Sequence, residues 1–132
     1  MPAPEAPFAY AILRVVPRVE RGEQLNVGVV VYCRQREFLD LRAELDEPRL
    51  AALAPDLDLP EVRASLEALR AIVCGEPAGG ALAELPPSER FGWLVAPAST
   101  IIQPSEVHTG LTDDPAATLD RLFDTLVALA GR

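Results

Sequence analysis

Two stretches near the start of the chain constrain its fold more than anything that follows. From Phe8 to Val16 the residues are apolar on both faces of an extended strand, with Phe8, Tyr10, Ile12 and Val16 on one side and Ala9, Ala11, Leu13 and Val15 on the other. Arg14 is the only charge, and Pro17 ends the run. Val27 to Cys33 is a second such run, rich in β-branched residues. Strands that are apolar on both faces are central strands, buried on both sides. Gly28 within the second marks a bulge or a place where another backbone comes close. Phe38 to Leu45 alternates strictly, with Leu39, Leu41, Ala43 and Leu45 on one face and Asp40, Arg42 and Glu44 on the other, which predicts a third strand with one face in water.

Helical signals follow. Asp46 is placed to cap a short helix through Arg49, Leu50 and Leu53, ending before Pro55. The spacing of Val62, Leu66, Leu69, Ile72 and Val73 predicts a longer helix over Pro60 to Cys74, with Arg63 and Glu67 paired at i,i+4 and Gly75 as its stop. Gly75, Pro77, Gly79, Gly80, Pro86 and Pro87 crowd the next segment, so residues 75–89 read as an exposed, mobile loop. Phe91 to Val95 reads as a fourth strand, and 97–112 shows no sustained period beyond a short extended piece around Ile101. The last helix is the clearest: Asp113 or Asp114 caps it, Pro115 suits its first turn, Leu119, Leu122, Phe123, Leu126 and Val127 form one stripe, and Gly131 ends it. No internal repeat is evident.

These elements predict a single α+β domain over residues 1–132, with a mostly antiparallel sheet of about four strands and the 60–74 and 115–130 helices packed on one face. Apolar residues make up 49% of the chain against 24% charged, enough to offset the entropy of ordering. The formal charge of −8 argues against nucleic-acid or anionic-membrane partners, since both require a basic surface. All 12 basic residues are arginine, as the codon bias of a GC-rich bacterial genome produces. The acid is concentrated in the middle of the chain, which leaves room for a local basic cleft built from the N-terminal segment. No basic region followed by an apolar stretch opens the sequence, so a cytoplasmic protein is expected. Cys33 and Cys74 lack CxxC spacing and read as free thiols packed as small hydrophobes.

Conventional catalytic signatures are absent: there is no Walker A, GxGxxG, HExxH or GxSxG motif and no paired acids at a strand end. One His and two separated Cys do not make a structural zinc site, and no cofactor is called for. Two polar stretches nevertheless concentrate chemistry. The first holds Arg21, Glu23 and Asn26 between the two apolar strands, where Asn26 can tie the loop to backbone and Arg21 can pair with Glu23. The second runs from Arg90 to Thr112 and holds Trp93, Ser99, Thr100, Gln103, Ser105, His108 and Thr109. Its hydroxyls and backbone N–H groups suit a phosphate or carboxylate, Arg21 or Arg90 would supply charge, and His108 would act as acid or base. The bland alternative is a self-bonded loop strapped across the sheet. A composite site requires the two stretches to meet in space.

The same stretches carry a resemblance. Tyr10-Ala11-Ile12-Leu13-Arg14-Val15-Val16-Pro17, Arg21-Gly22-Glu23 and Asn26-Val27-Gly28-Val29-Val30, followed by Arg90-Phe91-Gly92-Trp93-Leu94-Val95-Ala96-Pro97, Ser99-Thr100-Ile101-Ile102-Gln103-Pro104-Ser105, His108-Thr109-Gly110-Leu111 and Asp114-Pro115, resemble the DUF3037 family of bacterial proteins over nearly the whole chain. The family has no known function. The resemblance implies proteins encoded beside HipA-like kinases, and hence a partner role. It also implies an Arg where this chain has Ala98, which weakens a phosphate-site reading.

Two functions from different classes therefore stand. One is a non-catalytic binding or accessory protein working with a HipA-like kinase. The other is a small enzyme or phosphate-ligand binder that uses the Arg/Asn/Ser/Thr/His cluster.

Overall fold

The apolar runs form the centre of a five-stranded antiparallel sheet in the computed structural model, which describes residues 4–97 and 100–128. β1 (Ala6–Val15), β2 (Leu25–Cys33) and β3 (Phe38–Ala43) form a meander, and β4 (Ile102–Pro104) and β5 (His108–Thr112) both pair with the free side of β1. The helices are α1 (Glu47–Leu53), α2 (Leu59–Cys74), α3 (Pro87–Leu94) and α4 (Pro115–Leu126). The fold is thus α+β.

The sheet is covered on both sides. Ala11, Leu13, Val15, Val27 and Val30 pack with Leu50, Val62, Leu66, Val73, Phe91 and Leu94 on the face of α1, α2 and α3. Phe8, Val29, Val31 and Cys33 pack with Leu119, Phe123 and Val127 of α4 on the other. The two main helices therefore lie on opposite faces, not on one as expected. The cause is in the strands: their alternate residues are apolar in both directions, and each set needs its own layer to leave water.

Local chemistry explains the joints. Gly28 serves both roles foreseen for it. The β1–β2 register shifts between Leu13 and Arg14, so that Leu13 faces Gly28 and Arg14 faces Asn26. A Cβ on Gly28 would also lie 2.9 Å from Ala43 Cβ and 3.1 Å from the Arg42 carbonyl. β2 and β3 join through Arg34–Glu37, where Glu37 takes φ 52. The carboxylates of Asp46, Asp58 and Asp114 cap α1, α2 and α4 by accepting from the N–H groups of Arg49, Glu61 and Ala117, and a proline lies in the first turn of each helix.

Several expectations are corrected. Residues 91–95 are not a strand but the end of α3 and its C-cap, Val95, with Pro87 in the first turn and Phe91 and Leu94 buried at helical spacing. The 75–89 segment is mostly exposed as expected, but residues 77–84 are 3-10 turns laid against α2 and not an irregular loop; Ala83 is buried, and a Cβ on Gly79 would stand 3.0 Å from the backbone of Ala71 and Ile72. The polar face of β3 is not simply in water. Arg42 lies 4.4 Å over the Phe123 ring and bonds Asp120 at 2.9 Å, pinning the edge of α4. Arg63 pairs with Glu47 and not Glu67, which faces Arg70 at 3.7 Å. Gly131, the expected stop of the last helix, lies outside the described residues. Cys33 is a buried free thiol donating to the Pro7 carbonyl at 3.4 Å. Cys74 is also free but exposed, and partial desolvation beside Asp40 and Glu76 raises its thiol above the usual range.

Candidate functional site

The sequence-predicted site residues are distributed over the molecule. Arg21 and Glu23 sit in the turn after β1, where a 3-10 segment (Val19–Arg21) ends on Gly22 at φ 70. They pair with each other, which raises the Arg21 guanidinium and lowers the Glu23 carboxyl from their ordinary values. Both line an open cleft of about 550 Å3 against Leu53–Asp58. Arg18 reaches Asp56 across it at 3.6 Å. The cleft's cations are thus matched by its own acids.

Asn26 has both ends of its amide engaged. Its Oδ1 accepts from Arg14 Nε at 3.4 Å, and its Nδ2 donates to the Leu126 carbonyl at 3.1 Å. It joins β1, β2 and the last turn of α4. Arg14, Gln24, Asn26, Arg49 and Leu126 surround a recess of about 290 Å3 on this side.

Arg90 is a helix cap and not an anion ligand poised in a loop. From α3 its Nη1 donates to the carbonyls of Val73 at 2.9 Å and Ile72 at 3.3 Å, in the last turn of α2. Its Nε is buried with no hydrogen-bond partner among the described residues. Trp93, one turn on, is 46% exposed and lines an apolar recess of about 220 Å3 with Leu13, Leu69, Ile102 and Pro104.

The 100–112 stretch is an edge strand broken by a bulge. Leu13 pairs with Pro104 and Tyr10 with His108, so residues 105–107 face only Ala11 and Ile12. Ser105 repairs the gap: its backbone N–H donates to the Ile12 carbonyl, and its Oγ accepts from the Ile12 N–H, both at 2.8 Å. Its hydroxyl then donates to the Glu106 carbonyl at 2.8 Å. Thr100 Oγ1 donates to the Ile102 carbonyl at 2.7 Å. His108 stacks on Tyr10 at 5.1 Å between ring centroids, with Nε2 3.8 Å from Glu106. Thr109 is exposed on β5 opposite Ala9. Ser99 and Ala98 lie outside the described residues.

The structure does not bring the two stretches around one pocket. Thr100 lies by the β1 end that carries the Arg21 turn, since Val16 N–H donates to the Ile101 carbonyl at 2.8 Å. Asn26 faces the α4 layer, while Arg90 and Trp93 lie in the α2–α3 layer. His108 pairs with Tyr10, four residues or about 13 Å along β1 from Arg14. Among the described residues no group of three or more His, Cys, Asp or Glu is arranged to hold a metal. Sequence reasoning did not select Arg14 or Arg49 as site residues. The available signal was Arg14 itself, a lone charge in a strand otherwise apolar on both faces.

Fold and geometry together define an α+β fold in which Asn26, Arg90 and Ser105 bond the architecture and β4 and β5 form one open edge of the sheet. The chain belongs to the DUF3037 family, a protein of unknown function, whose profile matches residues 10–127. No curated protein and no solved structure matches it.

Proposed function

We propose that this is a non-catalytic binding domain of the cytoplasm that engages a protein partner along the β4–β5 edge. The HipA-like kinase implied by the family resemblance is the partner to test. One observation carries the reading. Of the four large apolar side chains exposed among the described residues, three border this edge: Leu111 at 60%, Trp93 at 46% and Val107 at 42%. Pro104 and the 105–107 bulge protect the β4 half from strand addition. The five residues of β5 carry neither device, and beyond β1 they pair with no strand among the described residues. Pro7, Thr109 and Leu111 are all exposed where β5 meets β1. A partner strand laid on β5 gains backbone hydrogen bonds from the edge and apolar contact from Leu111. An enzyme built on the polar cluster would need its members around one recess, whereas Arg21 and Glu23 line one, Asn26 a second, and Trp93 and Thr100 a third. No described helix is long and apolar enough to cross a membrane.

The test is calorimetric titration with a HipA-like kinase from the same genome. Leu111→Glu is expected to weaken binding at least about tenfold, because it places a charge in a desolvated contact. Its circular dichroism should stay unchanged, since the side chain is already in water. Equal affinity for Leu111→Glu, Trp93→Ala and the parent chain, or no complex at all, would contradict the proposal.

A further inference from the structure

We infer that the recess between the β1–β2 bulge and the end of α4 is a binding site for a small oxyanion, a carboxylate or phosphate on a compact body, held by Arg14 and Arg49. The chain carries 20 acidic residues against 12 arginines, yet six described arginines, Arg14, Arg34, Arg36, Arg49, Arg90 and Arg121, face no carboxylate within 4 Å, and of these only Arg14 and Arg49 share a recess. Arg18, Arg21, Arg42, Arg63 and Arg70 all face Asp or Glu side chains within 4 Å. Arg14 and Arg49 form no ion pair among the described residues, although both are half-buried. They line the same recess, and among the described residues no acidic side chain lines it with them.

The site is also organised in advance. Asn26 accepts only from Arg14 Nε, so the two terminal amino groups of that guanidinium stay directed elsewhere, without a hydrogen-bond partner among the described residues. The Asn26–Leu126 bond fixes the amide in turn. Asn26 is a positioning residue: it holds the fork of Arg14 still, and a still fork loses less entropy on grasping two oxygens of one anion. It also takes up the Leu126 carbonyl, whose negative end would otherwise oppose an anion at the end of α4. Leu25, Leu126 and Val127 give the recess an apolar wall. At about 290 Å3 it suits a compact ligand and is small for a nucleotide. The cleft beside Arg21 makes the contrast: it is larger, but Glu23 and Asp56 already answer its arginines.

None of these lining residues belongs to the edge surface proposed above, so the two readings stand or fall separately. The test is a heteronuclear NMR titration of the full chain with inorganic phosphate and, separately, succinate, at constant ionic strength made up with chloride. The expected result is saturable shifts of the Asn26 side-chain amide and the Arg14 Nε–H with at least one probe, at a Kd near or below about 1 mM. Arg49→Gln should weaken that binding at least about tenfold, the loss of one charged fork. The Arg49 side chain makes no hydrogen bond or ion pair within the described protein, so this variant keeps the fold even if an Arg14 variant does not. Arg121→Gln, an exposed arginine outside the recess, should leave binding unchanged. Shifts that rise without saturating, that chloride reproduces, or that persist undiminished in Arg49→Gln would overturn the site.

Discussion

Replacing Phe123 with Ala is expected to lower the free energy of unfolding by about 3–5 kcal/mol, read from urea denaturation at constant m-value. The ring is 2% exposed and sits among Phe8, Val29, Val31, Leu119 and Val127 in the layer that α4 makes with the sheet. Its removal leaves a cavity that the sheet is too stiff to close. It also removes the surface on which Arg42 rests, so the Arg42–Asp120 pair loses its support. With α2 and α3 on the far side of the sheet, no other described helix reaches this layer to fill the space. A loss below about 1 kcal/mol would mean that α4 is loosely docked, and the two-sided architecture would be wrong.

Arg90→Ala is expected to cost about 2–4 kcal/mol by the same measurement. The guanidinium is the cap of α2: the Val73 carbonyl gains its bond from Nη1, and hydrogen bonds from a charged donor are stronger than neutral ones. Removing the cation strips that partly buried carbonyl and also unfastens α3 from α2. Arg90→Met keeps much of the stem packing, so the difference between the two variants separates packing from hydrogen bonding. If both variants unfold with the parent chain, Arg90 is not holding the helix and becomes available again as a ligand. That outcome would revive the anion role its sequence position suggested.

Much of the fold is legible because strong periods dominate it. β1, β2, β3, α2 and α4 all follow runs whose spacing admits one reading, and the aspartate caps mark the helix starts. The failures have physical causes. Phe91–Val95 is too short for its period to separate strand from helix, and Pro86-Pro87 looks like a breaker when Pro87 in fact opens α3. The edge strand hides because Pro104 and the bulge at 105–107 interrupt its alternation, and both are tolerated only because β4 has a free side. The placement of α2 and α4 is different, since the two-sided apolar pattern of β1 and β2 itself requires a layer on each face.

The site was less legible, because a polar residue looks the same in sequence whether it holds backbone or awaits a ligand. Asn26 was expected to tie a loop to backbone, and it does bond backbone, but at Leu126, one hundred residues away. Ser105 looked like a ligand hydroxyl and fills a gap in a ladder. Arg14 points the other way. A charge in a strand buried on both faces has to be answered by something, and within the described residues only Asn26 answers it.

The most direct test of the binding-domain account is amide hydrogen exchange of the full chain with and without the HipA-like kinase. A partner strand added to β5 would slow exchange of amides in 107–112, while the 18–23 turn and the α2 and α4 amides keep their free-state rates. Unchanged exchange across 107–112 in a formed complex, with new protection around Arg18–Glu23 instead, would contradict the account.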